Sequence, residues 1–206
     1  MRSKTGNKGR VWLAALAGMC VAMQAGAVEF FGPVPYLSAA DTPVGFADGP
    51  TVIEDFEDGL ADPNLSFPLG GQILGPTGIT DSVDADDGVI DGSGTGGHSL
   101  FWSPPLEVAF AQPFPTSAGL VWTDGGTPTG GVVFEAFGPE GESLGSIGPF
   151  TLGDASNIGG TAEDRFFGVR DEAGIARIRI THDRGGLEID HIHFNVDTIF
   201  SDSFED

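Results

Sequence analysis

The 206-residue chain contains one cysteine, one tyrosine and nine basic residues, against 30 Asp and Glu. A single cysteine excludes an internal disulfide framework. A formal charge of −21 sets the chain against phosphate backbones and anionic lipid, which argues against nucleic-acid and peripheral-membrane roles. No apolar run reaches the roughly 20 residues that cross a bilayer. No window keeps an apolar residue at every third and fourth position without Gly or Pro intervening, which excludes long-helix and coiled-coil architectures. What is plentiful is turn and core material: 33 Gly, 14 Pro and 16 Phe, within a hydrophobic fraction of 40%. That fraction is too high for a disordered acidic tail, so a packed domain is expected.

Residues 1–27 read as a secretory signal peptide. Arg2, Lys4, Lys8 and Arg10 precede an apolar run from Val11 to Met23, and Ala25-Gly26-Ala27 supplies the small residues of a cleavage site. Cys20 suggests a lipoprotein only weakly, because Met19 stands where a small residue would be expected. Cleavage after Ala27 removes four of the nine basic residues and no acid, so the charge moves from −21 to −25. The mature chain then has neither lysine nor cysteine, and must be held by its core, by bound ions or by both. An extracellular, periplasmic or cell-surface location follows, with no membrane anchor expected in the mature chain.

Short β-rich runs at Thr51–Ile53, Leu106–Phe110, Gly119–Trp122, Val132–Phe137, Arg165–Val169, Ile175–Ile180 and Leu187–Phe194 are separated by Gly, Pro and Asp turn chemistry. The pattern predicts an all-β single domain over residues 51–196, with two packed antiparallel sheets ahead of a closed barrel. Residues 28–50 read as an extended lead-in and 197–206 as an acidic aromatic tail. Ile178 and Ile180 alternate with Arg177 and Arg179, as on a one-sided outer strand. Val132–Phe137 is apolar on nearly both faces and reads as a central strand, followed by a turn at Gly138-Pro-Glu-Gly141.

Three acidic groups stand out. Glu54-Asp-Phe-Glu-Asp-Gly59 sets four carboxylates in five positions, a repulsion relieved by solvent or by a hard cation such as calcium. Thr80–Gly92 resembles an EF-hand loop only superficially, since Gly88 at position 6 leaves Val83 and Ala85 where ligands belong. An irregular calcium loop through Asp84, Asp86, Asp87 or Asp91 competes there with a solvated Gly-rich loop. Glu163-Asp164 beside Arg165 reads as a structural ion pair. His191 and His193, two apart on a strand, project to one face and could share a transition metal with His182, or could be plain surface imidazoles. No Gly-x-Ser-x-Gly elbow is present. Trp102, beside Ser103-Pro-Pro105, is the aromatic expected at a rim where a sugar could stack; Tyr36 is a further candidate, and burial is expected for Trp122.

The ends of the domain, with Phe56-Glu-Asp-Gly59 at one and Ile189-Asp190 at the other, resemble jelly-roll carbohydrate-binding modules. That resemblance implies a jelly-roll sandwich whose first and last strands lie side by side. It also implies a structural calcium ion shared by Glu57 and Asp190, with Asp55 or Asp58 completing the shell. The blocks DFEDG, TDSVDADDGVIDGSGTGGHSLF, GLVWTDGG, VFEAFGPEGESLGSIGPFTLGD, TAEDRFFGV and LEIDHIHF together resemble the PEP-CTERM-associated group of exported bacterial proteins, which implies compartment and fold rather than chemistry. The tail here carries no Pro-Glu-Pro motif. Three functions stay open: a secreted calcium-stabilised module binding extracellular glycan, a structural matrix protein of the cell surface or biofilm, and a glycan-active hydrolase or lyase.

Overall fold

Alternation of apolar and polar residues, broken by turns, produces twelve strands in the described residues of the computed structural model, which are 26–77, 80–83, 97–125, 131–153, 163–183 and 185–195. The strands are β1 (Glu29–Pro35), β2 (Thr51–Glu54), β3 (Leu65–Ser66), β4 (Gln72–Leu74), β5 (Ser99–Trp102) and β6 (Leu106–Phe110) in the first half. In the second half come β7 (Ser117–Gly125), β8 (Val132–Phe137), β9 (Ser143–Phe150), β10 (Arg165–Arg170), β11 (Arg177–Thr181) and β12 (Leu187–Asn195). Sheet A runs β1-β10-β7-β12-β5-β4, with β2 also paired to β12, and sheet B runs β3-β6-β11-β8-β9. Every strand pair is antiparallel. The expected two-sheet antiparallel sandwich is therefore what forms, and all seven sequence-predicted strands are in it. The pairing of β2 with β12 sets the first strand of the predicted domain beside the last, as the resemblance implied.

The core lies between the sheets. Leu120, Trp122, Phe167, Ile189 and Ile192 from sheet A meet Leu106, Val108, Phe134, Ile178 and Ile180 from sheet B in one buried cluster. Strand β12 shows how the sequence arranges this. In strict alternation Leu187 and Ile189 would face opposite to Ile192 and Phe194. All four nevertheless belong to the core, because the β12–β7 register slips between Asp190 and His193. His191, at φ 40°, absorbs the extra residue of this β-bulge. The bulge leaves Glu188, Asp190, His191 and His193 directed away from the core.

That outer face of sheet A is covered as well. Residues 28–50, expected as a lead-in, instead supply edge strand β1 and a strap that crosses the sheet and buries Tyr36 and Phe46 completely. Ser38 and Asp41 cap a short 3-10 turn in the strap, and Arg170 holds its far end through Asp48 and the Gly45 carbonyl. Tyr36, Phe46, Val83, Val121 and Phe166 form a second, smaller core. Its close approach needs glycine: a Cβ on Gly168 would lie 2.7 Å from the Phe46 ring, and one on Gly119, its partner across β10 and β7, 2.8 Å from Phe166. Gly168→Ala should destabilise the domain by about 1–3 kcal/mol through overpacking, read as a lower urea midpoint with an unchanged slope.

The outer face of sheet B is open. Strand β11 is one-sided as expected, but it is the central strand of its sheet rather than an outer one, so its alternation reports a solvent-facing sheet surface. There Arg179 pairs with Glu107 and Glu135, and both Arg177 and Arg179 stack over the Phe137 ring at 4.1 and 4.8 Å. Strand β8 is interior, between β11 and β9, as its sequence predicted. A Gly141 N–H to Gly138 carbonyl bond closes the expected turn after it.

Candidate functional site

The outward side of β12 carries a run of buried ionisable groups, Glu188, Asp190, His191 and His193. Glu188 (4% exposed) stands opposite Asp124 on β7 and accepts the Asp81 N–H at 2.9 Å. Burial pushes the Glu188 carboxyl up to about 7, and the Asp124 charge adds to this against the opposing bonds from Asp81 and Ser99. Thr123 Oγ1 donates to the Asp81 carbonyl, which fixes the chain as it leaves residue 81. Two residues further along β12, fully buried Asp190 accepts from the Ser82 hydroxyl (3.1 Å), the Val83 N–H (2.9 Å) and the His191 N–H (2.7 Å). Asp190 is therefore the post on which residues 82–83 hang.

Glu57 lies near the same segment, on the other side of Gly97 from Ser82. It accepts from the His98 N–H at 2.5 Å and faces His98 Nδ1 at 3.2 Å. A Cβ on neighbouring Gly97 would collide with the Ser82 side chain and come within 3.1 Å of Glu57 Oε1, so Ser82 and Gly97 are interposed between Glu57 and Asp190. Asp55 and Asp58 stay at the surface, where they accept the Glu57 and Leu60 N–H groups in local turns. The carboxylate that organises the 54–62 turn is Glu54, which accepts from Phe56 N–H at 2.7 Å and from Asp62 N–H. Phe56, at φ 58°, is thereby folded into the main core.

The two histidines of β12 do share a face, but they are buried rather than superficial. Tyr36 Oη lies 3.1 Å from His191 Nδ1 and 2.9 Å from His193 Nε2. Burial, with a smaller contribution from His191, lowers the His193 imidazole to about 3, so it is held neutral. His182 is elsewhere, against Gly125 and Gly186 at the far end of β7. Trp102 is half-buried at the end of β5, with Gly70 directly against its indole and Leu69 beside that, 44% exposed. Trp122 is fully buried, as expected. Arg165 donates to the Asp164 carbonyl.

Asp84, Asp86, Asp87 and Asp91, the hydrophobic leader through residue 25 and the tail at 197–206 lie outside the described residues. Among the described residues no three His, Cys, Asp or Glu side chains converge as a metal-holding group, and no helix is long and apolar enough to cross a membrane.

No family model matches the chain, and no curated protein matches it in sequence. One similar solved structure is the K2 cleaved adhesin domain of Lys-gingipain (Kgp), 12% identical, with a TM-score of 0.47 over 71% of this chain and 98% of that one. At that distance no residue role transfers, and the site rests on its own geometry.

Glu188 and Asp124 were not singled out from sequence, and Tyr36, expected as a candidate for sugar stacking, is instead fully buried against His191 and His193. For Glu188 the signal was present: it shares the polar parity of Asp190, alternating with core residues Leu187 and Ile189. Tyr36 gave no local signal, because its partners are more than 150 positions away.

Proposed function

We propose that the chain is an exported, non-catalytic β-sandwich module that binds extracellular glycan through the rim around Trp102, in a jelly-roll arrangement supported by the pairing of β2 with β12. The observation that carries this reading is the rim itself: a half-buried indole flanked by exposed Leu69, where the other described tryptophan, Trp122, is fully buried. Acid–base groups point the same way. Glu188, Asp190, His191 and His193 are buried and hold loops to sheet A, where a polysaccharide has no access to them. A glycan array on the processed chain tests the proposal. Binding that Trp102→Ala reduces at least tenfold supports it. Binding unaffected by Trp102→Ala sinks the assigned rim, and turnover of a labelled polysaccharide sinks the non-catalytic reading.

Calcium is a second part of the proposal, at Glu57 and Asp190. The donor type suits a hard cation, and a carboxylate has lone pairs beyond those its present bonds occupy. The described carboxylates fall short of the six to eight oxygens calcium takes, so carbonyls or water would complete the shell. Calcium at 100 times its dissociation constant should add about 2.7 kcal/mol of stability, seen as a higher melting temperature that Glu57→Gln abolishes. Identical melts in calcium and in chelator would rule this out. A matrix role is the second reading, favoured by the exposed Asp55 and Asp58 turns, which calcium could bridge between molecules. Calcium-dependent light scattering without a saturable site on the monomer is its expected sign.

A further inference from the structure

We propose that Tyr36, His191 and His193 form a site for a borderline divalent transition ion of the zinc class. Two imidazole nitrogens address a single phenolic oxygen, at 3.1 and 2.9 Å, and all three side chains are at least nine-tenths buried. Zinc holds nitrogen and oxygen ligands at about 2.0–2.1 Å, which sets tetrahedral ligands about 3.3 Å apart. The two Tyr36–imidazole separations are within a few tenths of an ångström of that edge, the two imidazole rings lie 6.3 Å apart between centroids, and the ion would enter as the phenol–imidazole hydrogen bonds give way. A fourth position falls to water.

The backbone shows that this convergence is built. Strict alternation would direct both histidines into the main core, and it is the bulge at His191, held at φ 40°, that directs both rings toward the strap. Such a left-handed conformation is uncommon for a non-glycine residue and is retained where the surroundings impose it. The strap then brings Tyr36 to the meeting point, with Phe46 and Phe166 packed edge-on to His193 and closing the site to bulk solvent. Two histidines and a phenol select a borderline ion over calcium, which prefers all-oxygen shells. His182, the third ligand expected from sequence, is near Gly125, whereas His193 pairs with Gly119. Six residues of strand separate those positions, about 20 Å.

Hydrogen bonding alone also satisfies the trio, the phenol donating to one ring and accepting from the other, so the test must separate the two. Metal-free protein is titrated with Zn²⁺ by calorimetry in millimolar calcium, which occupies surface carboxylates, and with Co²⁺ by visible absorption. The site predicts one Zn²⁺ per chain, four-coordinate Co²⁺ bands, and at least tenfold weaker binding in both Tyr36→Phe and His193→Gln. Absence of saturable binding overturns the assignment, as does binding that both variants retain in full. If a variant fails to fold, the Co²⁺ spectrum of the wild-type chain decides: octahedral, oxygen-type bands overturn the site and intense four-coordinate bands support it.

Discussion

Asp190→Ala should destabilise the folded chain by about 3–5 kcal/mol, because it strips buried partners from three donors at once. The Ser82 hydroxyl, the Val83 N–H and the His191 N–H all end on this one carboxylate, which is fully buried. Each donor left without water or an acceptor carries a penalty of about 1–3 kcal/mol, reduced where the chain relaxes. At about 2–4 °C per kcal/mol for a domain of this size, the melting temperature should fall by roughly 10 °C. Asp190→Asn keeps one acceptor oxygen in place and should lose about half as much. Measuring both variants in chelator separates this loop-anchoring role from any calcium contribution, since the anchoring loss persists there. A drop under 1 kcal/mol for the alanine variant would mean that residues 82–83 hold their place by other means.

Glu188 should make the protein less stable as pH rises from about 4.5 through 7. Its folded carboxyl is raised to about 7 from an ordinary 4.5. Between those values the folded state holds a proton that the unfolded state has released, so stability declines with increasing pH. The contribution is whole below pH 4.5 and gone above about 7. That shift corresponds to about 3 kcal/mol at 1.36 kcal/mol per pH unit. His193 acts oppositely: its lowered value makes the unfolded state the better proton acceptor below about 6.5, so stability falls with acid. Urea unfolding of wild type and Glu188→Gln at pH 5 and pH 8 isolates the Glu188 part. The glutamine variant should gain relative to wild type at pH 8. Parallel pH profiles for the two proteins would show that the carboxyl is ionised throughout.

The strands were readable because their alternation is strong and their neighbours are glycine-rich turns, and this held for every run with a full apolar face. Short β3, β4 and β5 and the glycine-interrupted β9 escaped, since two to four residues carry little period and Gly145 and Gly148 dilute the pattern. Strand β11 was recognised but misplaced in its sheet: a row of Arg177 and Arg179 reports solvent on one face and is silent about neighbours on either side. The strap escaped for a different reason. Its prolines and glycines look like a linker, and what anchors it is tertiary: Phe46 over Gly168, Tyr36 on two distant histidines. In β12, apolar spacing of two, three and two from Leu187 to Phe194 already encodes the bulge, and with it the common face of His191 and His193.

Because the strap covers one sheet while the other lies bare, the two halves of the sandwich should breathe unequally. Strands β7 and β12 have protein on both faces, and amide exchange there requires opening that approaches global unfolding. The β9 margin of sheet B has no fully buried residue and is joined to the rest along one side only. Under mechanical load or crowding the molecule would therefore fray first from β9, and would keep the β7–β12 spine, with its Tyr36 clasp, until last.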